Sequence, residues 1–290
     1  MAMPTNERGL AEVVVSRRGK EGAGFSIRRP FPTSALDQID PFLLLDHLEP
    51  VPLAPGQAKG APDHPHRGFE TVTYLLSGSM VHRDSAGNEG RLNAGDVQWM
   101  TAGAGVVHSE MPAAELLDRG GVLHGFQLWV NLPREDKMIA PRYQDMPSAS
   151  LPVVSTEDGA VKIKIIAGDT LGGSAVIDTR TPITYLHLWL KAGAEHSQPL
   201  PGDFNAFLYV IEGEALFGET RVRADELALL DHGGDHVTVR AGADGLSVLL
   251  IGGKPLGEPV ARYGPFVMNE EHEIEEAFAD YRSGKLGVIK

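Results

Sequence analysis

The feature that most restricts this fold is a long succession of short apolar or alternating runs, each cut off by a turn signal. Thr71–Leu76, Asp96–Met100, Leu123–Val130, Val161–Ile166, Thr184–Leu190, Ala206–Ile211, Glu226–Leu230 and Leu246–Ile251 are all of strand length. Between such runs stand Ser77-Gly78, Ala94-Gly95, Glu212-Gly213 and Gly233-Gly234-Asp235, residues that let a chain reverse. Many short strands with frequent turns predict an all-β architecture of sandwiches or barrels. Helical periodicity appears only near the end. There Asn269 reads as a helix cap, and acidic residues fill the first turn. Ile274, Ala277, Phe278 and Tyr281 then share one face before Gly284.

The halves of the chain echo one another. Thr71 to Ser79 matches Ala206 to Glu214 in character, each a tyrosine-bearing strand that ends at glycine. Leu92 to Met100 corresponds in the same way to Val222 to Leu230. This self-similarity predicts duplication of one barrel. The region 134–152 is rich in Pro, Asp, Arg and Ser and reads as a linker. The expected organisation is a barrel over 1–133, a linker over 134–152, a second barrel over 153–265 and a helical tail over 266–290.

Composition removes several function classes. The 290 residues include no cysteine, so disulfides, thiolate catalysis and thiolate metal sites are excluded. A net charge of -13 argues against direct nucleic-acid binding, because phosphate contacts need clustered Lys and Arg. No run reaches the roughly 18 apolar residues of a membrane helix. Residues 1–18 lack the apolar stretch of a signal peptide, so a cytoplasmic protein is expected. A monomer is expected as well.

The chemistry-bearing motif is Asp63-His64-Pro65-His66-Arg67-Gly68-Phe69-Glu70, answered later by His108-Ser109-Glu110. Residues two apart on a strand project to the same face, so each pair can present both of its side chains to one point. His64, His66, His108 and Glu110 together offer three imidazoles and a carboxylate. That set suits iron, manganese, nickel, cobalt or copper with positions left open to substrate. Pro65 cannot donate to a central ladder, which predicts an edge strand at the rim of the barrel. Glu70 competes for the carboxylate role, since its offset of four from His66 preserves strand parity. Glu110 is preferred because it shares a short strand with His108. The remaining histidines, His82 among them, read singly as ordinary core or surface residues.

Asp63 to Gly78, Ala94 to Gly103, His108 to Pro112, Phe126 to Pro133 and Gly264 to Asn269 resemble the pirin family of the cupin superfamily. The resemblance implies two tandem cupin barrels of jelly-roll type with a short C-terminal helix. It implies one metal, usually iron, in the N-terminal barrel on His64, His66, His108 and Glu110, and no ligand role for Glu70. The second barrel offers Glu195, His196 and Gln198, then His232 and His236 in a glycine loop, without a matching set.

Some pirins open flavonols such as quercetin with dioxygen, releasing carbon monoxide. The resemblance therefore implies an oxidoreductase of the quercetin 2,3-dioxygenase type, acting on a flavonol-like substrate and dioxygen. Glu110 would serve as the base that takes the substrate proton. Other members are metal- or redox-sensing partners of transcription factors or metabolic enzymes. That makes a regulatory protein with a protein partner the alternative.

Overall fold

The computed structural model describes residues 6–289. The ends of the expected segments 1–133 and 266–290, residues 1–5 and 290, lie outside them. The regular structure of the chain is mostly antiparallel β, in two compact units. One unit comprises Arg18–Gln38, Phe42–Ser148 and the chain from Leu256 onward. The other comprises the described residues up to Arg17, Ile39–Pro41 and Ala149–Pro255. No helix among the described residues is long and apolar enough to cross a membrane.

The first of these units holds a seven-stranded sheet. Its spatial order is Arg142–Met146, Val97–Thr101, Phe69–Ser77, His124–Asn131, Phe42–Leu48, Phe25–Phe31 and Arg17–Glu21. A four-stranded sheet runs Ala61–His66, Val106–Pro112, Met80–Asp84, Glu89–Leu92. Register explains how the larger sheet divides its faces. Gln127 stands opposite both Thr73 and Asp46, and all three line one cavity. One residue along, Leu128 stands opposite Val72 and Leu45, and these apolar side chains are wholly buried. The period of two thus turns Gln127, Thr73 and Asp46 toward the cavity and Leu128, Val72 and Leu45 away from it.

The other unit is built on a nine-stranded sheet. An unbroken apolar cluster runs through it, including Ile163, Leu188, Leu208, Val222, Val239 and Leu250. The expected echo is visible in the pairing. Tyr74 faces Val97 in the first unit and Tyr209 faces Leu227 in the second. Each meets a left-handed glycine, Gly78 just past the first strand at φ 84° and Gly213 within the second at φ 78°. In each case a Cβ would meet a carbonyl oxygen of a neighbouring strand, so glycine is required there.

Three expectations about boundaries are corrected. The segment 134–152 is not a linker. Arg142–Met146 pairs with Val97–Thr101 from Met146↔Val97 to Arg142↔Thr101, and Asp145 accepts from Gln98 Nε2 at 2.8 Å. Lys137 is buried, with Nζ donating to Gly68 O, Asn131 Oδ1 and Val267 O. A sheet edge carries half-exposed polar side chains, which is why its composition imitates a linker.

The barrel boundaries also fail to follow chain order. Leu10–Val15 pairs with Glu226–Leu230 and belongs with the C-terminal unit rather than with 1–133. Residues 256–265 belong with the N-terminal unit rather than with 153–265. Strand pairing between segments far apart in sequence decides both assignments.

The helix is Glu271–Arg282 and its cap is Glu270, not Asn269. Glu273 reaches back to accept from the backbone N–H of Glu270 at 2.8 Å and of Asn269 at 3.0 Å, completing a capping box. Ile274 and Ala277 are buried against Val107, Phe266, Met268 and Leu286, while Tyr281 is exposed.

Candidate metal centre

Ala61–His66 is the edge strand of the four-stranded sheet, the position that tolerates Pro65. It pairs with Val106–Pro112, and His64 stands directly opposite His108. Parity then brings His66 onto the same face as His64. Ring centroids are 4.8 Å apart for His64 and His66, 4.3 Å for His64 and His108, and 4.9 Å for His66 and His108. One nitrogen from each ring lies within 4.8 Å of the others. Among the described residues this is the one such group of three or more candidate ligands.

Backbone carbonyls fix two of the tautomers. Nδ1 of His64 is 2.7 Å from Pro62 O, and Nδ1 of His66 is 3.2 Å from Pro265 O. A carbonyl oxygen only accepts, so both imidazoles carry their proton on Nδ1 and keep Nε2 free as a ligand. Burial pushes the His66 imidazole down to about 3, with His64 adding to the depression. Burial likewise holds His108 well below its ordinary value, helped by His66, His64 and His82. The buried rings are therefore neutral at pH 7, the form that binds metal.

The donor set fits a metal on one further observation. His108 is 1% exposed, yet neither of its ring nitrogens has a hydrogen-bond partner among the described residues. Buried polar groups are almost always satisfied, and an orphan imidazole beside two others would be satisfied by a cation.

His64, His66 and Glu110 line a cavity of about 580 Å³. Its apolar wall includes Phe25, Leu44, Leu48, Met80 and Trp129. Glu110 stands outside the three-imidazole cluster. Its Oε1 is 3.0 Å from Thr73 Oγ1, which is also 2.7 Å from Gln127 Oε1. One hydroxyl proton serves one acceptor. With the Gln127 amide turned so that its NH2 group faces Thr73, the amide donates to Thr73 and Thr73 donates to Glu110. A register shift between His108 and Glu110 sets Glu110 opposite Ala61 on one side and His82 on the other. Glu70 is buried and accepts from Thr101 Oγ1 at 2.6 Å.

The pirin family model matches residues 24–130, and the model described as the pirin C-terminal cupin domain matches 185–287. A pirin-like protein of Solanum lycopersicum is 45% identical over 97% of this chain and 93% of its own length. Pirin of Homo sapiens is 43% identical over 94% of this chain and 92% of its own. This chain belongs to the pirin family. The crystal structure of a quercetin 2,3-dioxygenase from Acinetobacter baumannii superposes with a TM-score of 0.92 at 33% identity, covering 98% of this chain and 100% of that one. The two-cupin fold follows from these matches.

Sequence reasoning missed several residues around this pirin site. His82 is 2% exposed, its ring lies 5.1 Å from that of His108, and burial depresses its pKa. Nothing in its local sequence marks it, since its place opposite Glu110 depends on strand pairing. Thr73 and Gln127 sit within runs that read simply as strands. Pro265 and Arg262, which also line the cavity, come from the segment expected to belong to the second barrel. In that second barrel His196 bonds Gln198 at 3.2 Å and His236 bonds Asp235 at 2.6 Å, each within its own short segment.

Proposed function

We propose that this chain is a metal-dependent oxygenase of the quercetin 2,3-dioxygenase type, opening a flavonol with dioxygen. The observation that carries the reading is the convergence of three imidazoles, at least two of them with Nε2 free, beside an apolar cavity that also presents a carboxylate. The volume lies in the range of small-molecule sites. His64, His66 and His108 would hold the metal, with Glu110 as the fourth ligand or the adjacent base. Iron is the proposed ion. A bound transition metal would supply Lewis acidity toward the substrate enol oxygen and redox access to dioxygen.

The protein's own groups supply the rest. Phe25, Leu44, Leu48, Met80 and Trp129 offer apolar surface to the flavonol rings and keep water from the enol. The Glu110 carboxylate takes the proton of the 3-hydroxyl. Thr73 holds Oε1 of that carboxylate, and Oε2 has no protein partner among the described residues. The acceptor oxygen is thereby left to the substrate.

The test is anaerobic reconstitution with iron, manganese, nickel, cobalt or copper, then oxygen uptake over a flavonol panel. The expected result is uptake that depends on both the metal and the flavonol. Absence of uptake in every metal form, with the metal confirmed bound, would favour a regulatory protein that senses metal or redox state.

A further inference from the structure

The cavity wall contains two arginines in different electrostatic situations. Arg29 is committed: Nε and Nη2 donate to Asp46 at 2.7 and 2.6 Å, and Nη2 reaches Glu21 at 2.5 Å. Arg262 is not. Its Nη1 donates to Leu43 O at 2.9 Å, and its guanidinium lies 5.2 Å from the centre of the Trp129 ring. Nε and Nη2 have no protein acceptor among the described residues, and no carboxylate closes an ion pair with Arg262 there. Asp37 and Asp46 act on it only through space.

A half-buried cation beside a cavity normally has an anionic partner, because desolvating the charge without one is costly. The other carboxylates of the wall are already engaged or distant in role. Glu21 and Asp46 are bound by Arg29, Glu110 belongs to the imidazole end, and Asp63 is exposed. Trp129 links the two ends, since its ring also stands 5.2 Å from that of His66. Two ring contacts in series therefore separate the guanidinium from the imidazoles, a separation that a multi-ring aromatic molecule can bridge.

We propose that Arg262 binds an oxyanion carried on a ring of the substrate remote from the enol, so that the cavity selects anionic aromatic enols over neutral ones. This rests on the oxygenase reading above and names its substrate class. Arg262 then acts as a specificity residue: its fork of N–H donors receives the anion while Trp129 holds the guanidinium plane in place.

The test is anaerobic calorimetry of the metal-loaded protein with 3-hydroxyflavone and with 3-hydroxyflavone-4′-carboxylate. Oxygen uptake is measured separately on each compound. Wild type is expected to bind the carboxylate about tenfold more tightly, as one charge-assisted hydrogen-bonded contact provides. Arg262→Gln should abolish that preference while leaving the affinity for 3-hydroxyflavone unchanged, and Arg262→Lys should restore part of it. Equal affinities in wild type, or an Arg262→Gln variant that weakens both ligands alike, would overturn the inference. A preference that depends on Arg262 without oxygen uptake would uphold it and reject the oxygenase reading. Uptake without preference would do the reverse, and binding of neither compound would reject both.

Discussion

The carbonyl oxygen of Pro265 lies 3.2 Å from Nδ1 of His66, a residue 199 positions earlier in the chain. The contact fixes the ring's tautomer and leaves Nε2 as the nitrogen that could take a metal. Around it the backbones run close together. Arg67 and Phe266 form a parallel bridge, and Val267 N–H donates to Arg67 O at 3.1 Å. The terminal segment is thus a wall of the site.

Removing one imidazole should release the metal. His66→Ala leaves too few donors for tight retention of a first-row ion. Elemental analysis of the purified variant should show clear metal loss, with a β-type circular dichroism spectrum intact. Full retention would remove His66 from the ligand set.

Thr73→Val deletes the hydroxyl that donates to Glu110 while nearly conserving volume. Flavonol turnover should fall by about tenfold, the worth of one hydrogen bond to a charged group, with metal content unchanged. Glu110→Gln should cost more than this, since the amide is no base. Wild-type kinetics in the Glu110→Gln variant would take the proton-accepting role from that residue.

Gly68 has φ 86°, and a Cβ there would collide with the carbonyl oxygen of Val267. Gly68→Ala combines left-handed strain with displacement of the terminal segment from the motif. A destabilisation of about 3 kcal/mol is expected by denaturant unfolding, with weakened metal retention. Wild-type stability would show that the two backbones are not held together as described.

Acid should destabilise the metal-free protein in a defined window. The His66 pKa falls from 6.5 to about 3 on folding, so the unfolded chain binds more protons between those values. Stability is therefore fully present above pH 6.5 and drains away as pH falls toward 3. The slope contributed by this ring is at most about 1.4 kcal/mol per pH unit. Chemical denaturation of apo-protein from pH 7 to 4 reads it, and His66→Gln should flatten the curve.

Strands, duplication and the histidine cluster were legible because each rests on local pattern. The period of two in Thr71–Leu76 and the proline between His64 and His66 are visible without knowing any partner. Pairing across distance is not. Ala11 to Ser16 reads as a strand, but nothing in it names Glu226–Leu230 as its neighbour. Arg142–Met146 was obscured by its polar, partly exposed side chains, the usual character of an edge. Arg262 and Pro265 gave no sign of lining one cavity with His66, since their role depends on a hairpin, Ala261–Tyr263 with Phe266–Met268, laid against a distant motif.

The terminal wall also sets an order of events during synthesis. Translation delivers His64, His66 and His108 early, and a nascent chain can begin to fold around them. Pro265, Arg262 and the helix that buries Val107 leave the ribosome long after His108. An ion that met the half-made chain would find imidazoles with unfixed tautomers and a cavity lacking one side. A chain cut short before Arg262 would carry the histidine motif without its enclosure.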